Sequence, residues 1–174
     1  DISISNINTT KFINEYWTKK QRQSNSLHEI SYRACFKPEL PNFFISRLSC
    51  PGDLILDPFG GRGTTIIEAN LLQRGGFSND VNPLSKILAE PRLHPPCFSE
   101  ISDRLNLIPL TKSKPADIDL SMFYHEDTER ELVSLRNYFI NRILCNSFDN
   151  VDAWLRMVAT NRLTGHSSGF FSVY

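Results

Sequence analysis

Nine consecutive residues at the centre of the chain, Asp57-Pro58-Phe59-Gly60-Gly61-Arg62-Gly63-Thr64-Thr65, set an acid before three glycines and two hydroxyls. Gly60, Gly61 and Gly63 lack Cβ, so the backbone can bend sharply and a ligand can approach its N–H groups. A helix starting at Thr64 offers unpaired N–H donors and a positive dipole end to an anionic group. Asp57 closes the preceding apolar run and can accept hydrogen bonds from an ammonium. Asp80 lies close to the spacing at which an acidic side chain binds ribose hydroxyls in nucleotide-binding βαβ units. Together these residues suit a ligand carrying both an amine and a carboxylate. Two rival glycine loops fit worse. A P-loop, G-x-x-x-x-G-K-[ST], needs a Lys before Thr64, and a dinucleotide fingerprint needs G-x-G-x-x-G; neither is present. A tight strand-to-helix turn that binds nothing is the plain structural alternative.

The flanking pattern supplies elements to position these groups. Leu54-Ile55-Leu56 reads as a short buried parallel strand ending at Asp57, and Thr64 to Leu72 as a helix halted by Gly75-Gly76. Phe77 to Asp80 reads as a second strand, and Pro83 to Leu88 as the next helix. Upstream, Leu40, Phe43, Phe44, Ile45 and Leu48 space as a short amphipathic helix after the proline-bounded stretch Lys37–Pro41. Downstream, Phe98–Ile108 reads as a helix, Lys112–Asp119 as a polar linker, and Thr128-Glu129-Arg130-Glu131 as a capping box opening a long helix. A last helix starts near Asp149 and runs towards Gly165. The expected organisation is an N-terminal segment (1–27) with an amphipathic candidate around Phe12 to Trp17, an α/β core (28–96), and a helical region (97–174).

The nine residues resemble motif I of the amino-methylating DNA methyltransferases, the N4-cytosine and N6-adenine family, written D-P-F-x-G-x-G-T-T. Phe36-Lys37-Pro38-Glu39-Leu40-Pro41 is similar to that family's motif X, F-x-P-x-L-P, and Asn79-Asp80-Val81-Asn82-Pro83 to its motif II. The resemblance covers about residues 28–96. It implies a partial Rossmann-like S-adenosylmethionine-dependent methyltransferase fold of the α/β class, with a helical C-terminal half. It also implies S-adenosylmethionine as cofactor. Asp57 would meet its amino group, with Pro58 and Phe59 lining the cleft. Gly60, Gly61, Gly63 and Thr64 would cradle the methionine part, Asp80 and Asn82 the ribose side, and Phe36 and Pro38 would close the other wall. Phe36 and Phe59 serve equally as core residues on the plain structural alternative.

The family's catalytic motif, [DNS]-P-P-[YFW], does not occur. The nearest string, His94-Pro95-Pro96-Cys97-Phe98, has a His that cannot directly replace the acceptor side chain before the prolines, and its aromatic is displaced by one; it reads as a proline-rich turn. No catalytic residue is therefore assigned. The chain reads as the cofactor-binding part of a DNA methyltransferase whose catalytic motif would follow Tyr174. An RNA base methyltransferase fragment and a non-catalytic cofactor- or DNA-binding module are the alternatives.

With net charge zero, any contact with DNA must come from local basic patches. One candidate is Lys19, Lys20 and Arg22 beside Trp17; another is Arg162 with Arg156, His166 and neighbouring hydroxyls. Both read equally as solvated surface. Four scattered cysteines (Cys35, Cys50, Cys97, Cys145) without a C-x-x-C pair read as reduced core thiols rather than zinc ligands. His28 and His125 have no ligand-spaced partners, so no metal is expected. No apolar run approaches a membrane span and no secretion signal opens the chain, which places the expected protein in the cytoplasm.

Overall fold

The computed structural model describes residues 2–4, 7–9, 11, 24–30, 32, 35–110 and 115–163. The basic candidates Lys19, Lys20 and Arg22, the amphipathic stretch near Trp17, and His166 lie outside them. The first elements are two three-residue strands, β1 (Ile2–Ile4) and β2 (Ile7–Thr9), paired antiparallel with Ile2 opposite Thr9. The sequence reading gave this stretch no strand, because three residues are too few for an alternation pattern to register.

The central unit is α1 (Glu39–Leu48), β3 (Leu54–Asp57), α2 (Thr64–Leu71), β4 (Gly75–Ser78) and α3 (Leu84–Ala89). β3 and β4 run parallel, with Leu54 opposite Gly75 and Asp57 opposite Ser78, and α2 makes the crossover between them. Parallel strands require such a crossover, usually a helix.

β4 begins two residues earlier than the glycine pair suggests. The helix is ended instead by Gln73, whose φ of 63° is left-handed, while Arg74 N–H donates to the Ala69 carbonyl. Gly75 and Gly76 are strand residues, chosen for closeness: a Cβ on Gly76 would stand 3.0 Å from Ile66 Cβ on α2, and one on Gly75 2.6 Å from Leu54 Cδ2. The glycines let the strand lie against the helix rather than stopping it.

A second correction concerns burial. Leu54 and Leu56 are about 70% exposed and Phe77 is exposed as well, although β3 reads as a buried strand. Side chains alternate across a strand, so Ile55 and Gly76 face α2, while Leu54, Leu56 and Phe77 share the opposite face. Among the described residues the sheet has two strands, with α2 packed on one side. Among the described residues, no layer covers this apolar face.

Beyond Pro91 the chain is helical: α4 (Phe98–Leu107), α5 (Glu126–Leu144) and α6 (Asn150–Arg162). α5 opens at Glu126, two residues before the capping-box string. Glu126, Asp127 and Glu129 place negative charge in its first turn, where the helix dipole favours it. The Thr128 to Glu131 string therefore lies inside the helix rather than capping it, and Glu129 accepts from the Ala116 N–H at 2.8 Å. Asp149 caps α6 as expected, accepting from Asp152 N–H at 3.0 Å, with the reciprocal bond from Asp149 N–H to Asp152. The helical part is not a loose appendage. α6 packs on α3, and its Met157 joins Ile30 and Leu88 in one apolar cluster, with Tyr32 and Trp154 against it. No helix among the described residues is long and apolar enough to cross a membrane.

The cysteines depart from expectation: all four are free and exposed. Cys97 and Cys145 sit at helix ends, where the chain turns outward, so small size and low polarity did not draw them into the core.

α4, α5 and α6 are joined by Asp149 and Asp152. Arg104 bridges Asp149 at 2.7 Å and Asp152 at 2.5 Å; Arg142 bridges the same pair at 3.2 and 2.9 Å. The hydrogen bond from Arg104 holds the Asp149 carboxyl down at about 2, with Arg142 adding to the effect. A carboxyl depressed in the folded state contributes stability above its unfolded value, about 3.9, and loses it as pH falls towards 2. Asp149 is partly solvent-exposed, so the contribution is below about 1 kcal/mol. The thermal midpoint is therefore expected to fall more steeply between pH 4 and 2 in the native chain than in Asp149→Asn. Parallel pH profiles for the two proteins would remove this role.

Candidate functional site

The glycine turn joins the C-terminal end of β3 to the N-terminus of α2, and each end is held by backbone bonds. Gly60 N–H donates to the Asn79 carbonyl at 2.9 Å and Gly63 N–H to the Gly60 carbonyl at 2.7 Å; Asn79 N–H donates to the Asp57 carbonyl at 2.9 Å. The turn after β3 is thus laced to the turn after β4. Gly61 and Gly63 have φ of 51° and 83°, in the left-handed region that L side chains avoid. Gly60 and Gly63 answer to packing as well. A Cβ on Gly60 would fall 1.8 Å from Ser78 Oγ, and one on Gly63 2.6 Å from Ala89 Cβ.

Both acids flank this turn. Asp57 accepts from Phe59 N–H at 3.0 Å, bending the chain just past the strand. Asp80 accepts from Gly61 N–H at 2.7 Å and from Asn82 N–H at 2.8 Å. These two backbone donors, Asn82 first, hold its carboxyl below the ordinary carboxylate range. Asn82 is engaged in turn: its side-chain oxygen accepts from Leu84 N–H at 3.0 Å, starting α3.

Thr64 is buried, and its hydroxyl accepts from Arg62 Nε at 3.1 Å. Phe59, by contrast, is 84% exposed beside the turn, and Pro58 is exposed too. Pro38 is buried at the head of α1, which packs on α2, and Phe36 just before it is exposed. Arg162 is exposed in the last turn of α6. Arg156 of the same candidate patch lies over the Phe148 ring, 4.7 Å from its centroid.

Several residues at the turn carried no local signal in the sequence. Tyr32 stands 3.5 Å from where a Gly61 Cβ would be, and its hydroxyl is 3.5 Å from Asn82 Nδ2. Arg62 donates to the Ile30 carbonyl at 2.9 Å. Arg92 donates to the carbonyls of Leu27 and Leu88, each at 2.7 Å, and to that of Arg62. Behind α2, buried His28 lies 2.7 Å from Glu68, whose other oxygen accepts from Asn42 at 2.8 Å. Burial alone would raise the Glu68 carboxyl, but the hydrogen bonds from His28 and Asn42 and the His28 charge outweigh it and hold it low. Apart from Arg92 with Leu88, each of these partnerships spans many residues of chain, so no spacing pattern announces it.

A groove of about 310 Å³ lies away from the turn along α5, lined by Asn137, Tyr138, Asn141 and Arg142 among others. Tyr138 and Arg142 are already committed there to Asp152. No group of three or more metal-ligating side chains occurs among the described residues.

Residues 3–89 match the family profile described as DNA methylase. Among curated relatives, the type II methyltransferase M.MjaII of Methanocaldococcus jannaschii is 31% identical over 75 residues, 42% of this chain and 14% of its own. The type II methyltransferase M.BsoBI of Geobacillus stearothermophilus is 35% identical over 86 residues, 48% of this chain and 17% of its own. The aligned stretches thus span less than a fifth of either relative's length. No solved structure matches the chain.

Proposed function

This chain belongs to the N6/N4 DNA methylase family, and from that premise we propose that it is the S-adenosylmethionine-binding portion of an enzyme that methylates an exocyclic amine of cytosine or adenine in DNA. The observation that carries the reading is the placement of Asp57, Asp80 and the α2 N-terminus around one glycine turn. The parallel β3–α2–β4 unit is the part of a Rossmann-like methyltransferase core that this placement needs. The reading assigns the cofactor site to residues 28–96.

The donor and acceptor set fits the cofactor. One Asp57 oxygen is engaged by Phe59 N–H, leaving acceptor capacity for an ammonium group. Each Asp80 oxygen accepts one backbone bond and has a second lone pair for a ribose hydroxyl. The α2 N-terminus suits the cofactor carboxylate, and Thr64 contributes there through its backbone. Exposed Phe59 offers an apolar wall with Pro58 beside it, and the reading gives the opposite wall to Phe36 and Pro38. Asn82 acts through Asp80, by fixing it. When bound, the cofactor supplies an activated methyl group on sulfur, and the work of these residues is to hold and orient it.

The [DNS]-P-P-[YFW] string that would grip the target amine is absent from this sequence. The chain is accordingly expected to bind cofactor without transferring methyl groups. Arg162, with Lys19, Lys20 and Arg22, is the proposed DNA contact, serving the intact enzyme rather than this chain alone.

Titration calorimetry with S-adenosylmethionine is expected to show one site. Asp80→Ala should weaken it about tenfold or more, the worth of hydrogen bonds to a charged group. Tritium transfer from labelled cofactor to DNA should stay at background. Absence of binding would overturn the cofactor assignment, and methyl transfer by this chain would overturn the claim that the catalytic group lies elsewhere.

A further inference from the structure

We propose that Arg92 is the positioning residue of the glycine turn, holding it through the Arg62 carbonyl in the form that receives the ligand. The ligand's identity as S-adenosylmethionine rests on the reading above; the positioning role rests on the geometry below.

Arg92 is 1% exposed, among the most buried large side chains described, and no carboxylate pairs with it among the described residues. A buried guanidinium without a counter-charge is costly, and an apolar side chain of similar volume would fill the space more cheaply. Its distinguishing property is a rigid fork of five donors. Three bonds leave that fork, each to a carbonyl on a different segment. Nε donates to Leu88 in α3 at 2.7 Å, and Nη1 to Leu27 in the short helical turn Ser26–His28 at 2.7 Å. Nη2 donates to Arg62 within the glycine turn.

The third bond gives the side chain its leverage. The Arg62–Gly63 peptide has Gly61 (φ 51°) before Arg62 and Gly63 (φ 83°) after it. Glycine populates positive and negative φ about equally, so the Gly63 φ that flanks this peptide offers little resistance to its reorientation. Here both ends of that peptide are held: the carbonyl by Arg92, and the N–H by the Gly60 carbonyl at 2.7 Å. With the carbonyl drawn inward, the neighbouring Gly61 N–H meets Asp80 at 2.7 Å, and Thr64 starts α2. Arg62 reinforces the arrangement, donating to the Ile30 carbonyl, so two arginines tie residues 27–30 to the turn. Burial, with the nearby Arg62 charge, pushes the Arg92 guanidinium down to about 10, which leaves it protonated at neutral pH.

Arg92→Met keeps the volume and removes every donor; Arg92→Lys keeps the charge and loses the fork. Phe139→Ala, in α5 and outside the turn, serves as a destabilised control. In ligand-free protein, Gly63 amide exchange followed by NMR is expected to rise about tenfold or more in Arg92→Met, and less in Arg92→Lys. S-adenosylmethionine affinity at a temperature where each variant is folded should fall in the same order, by about tenfold for Arg92→Met. Phe139→Ala should lower the melting point without moving either reading. Wild-type Gly63 exchange in Arg92→Met overturns the proposal, as does faster exchange with unchanged affinity; if Arg92→Met does not fold, Arg92→Lys decides on the same criteria. If the wild-type chain binds no S-adenosylmethionine while exchange still accelerates, the positioning role stands and the cofactor reading falls.

Discussion

Gly63→Ala is expected to destabilise the chain by about 2–5 kcal/mol and to abolish measurable cofactor binding. Two costs add. A left-handed φ costs an L-residue roughly 1–2 kcal/mol, and overfilling a packed contact typically about 1–3 more. The structure imposes both: φ is 83° and the new Cβ would stand 2.6 Å from Ala89 Cβ and 3.3 Å from its Cα. Neither atom is the end of a flexible side chain, so relief must come from backbone movement in the turn. Gly52 separates the two costs. Its φ is 94° but nothing lies within 4 Å of its would-be Cβ, so Gly52→Ala should cost only the roughly 1–2 kcal/mol of strain. Chemical denaturation of both variants measures the difference. Equal losses would show that Ala89 sets no constraint, and the close approach of α3 to the turn would lose its meaning.

The second large effect lies away from the turn. Asp152→Ala should cost about 2–4 kcal/mol, because it removes a fully buried carboxylate and leaves the part-exposed guanidinium groups of Arg104 and Arg142 to share Asp149. Asp152 is 0% exposed and accepts from Arg104, Arg142 and the Tyr138 hydroxyl, as well as from Asp149 N–H. At this chain length such a loss lowers the melting point by roughly 10 °C. Cofactor affinity measured below that midpoint should be unchanged, since the cluster joins α4, α5 and α6 rather than touching the turn. A double-mutant cycle with Arg142→Ala should return a coupling of about 1 kcal/mol or more. A loss below about 1 kcal/mol for Asp152→Ala would mean the arginines find water instead, and the cluster would be a surface network only.

These two sites differ in how visible they were in the amino-acid sequence. The glycine turn declared itself because its parts are contiguous: Asp57, the three glycines and Thr64 lie within eight residues, and the apolar run before them marks a strand. α1, α3, α4 and α6 were legible for a related reason, since helical periodicity and caps such as Asp149 are local features. Ambiguity entered wherever one residue type serves two ends. Gly75-Gly76 reads as a helix stop and proves to be a strand pressed on Ile66. Thr128-Glu129-Arg130-Glu131 reads as a capping box, yet α5 begins two residues earlier, at Glu126. Leu54 and Leu56 read as buried, a property that depends on what covers them and not on their own composition. The exposed cysteines teach the same lesson.

The sequence by itself determined the local chemistry of the turn, the family to which the chain belongs, and the absence of the [DNS]-P-P-[YFW] string. All of these are written in short contiguous runs, and nearby residues meet whatever the remainder of the fold does. Tertiary structure alone decided that Asp80 accepts from Gly61, that Arg92 reaches the Arg62 carbonyl, and that Asp152 gathers Arg104 and Arg142. Those partners lie far apart along the chain, and only the packing of β4, α3 and the later helices brings them within the few ångströms over which a hydrogen bond acts.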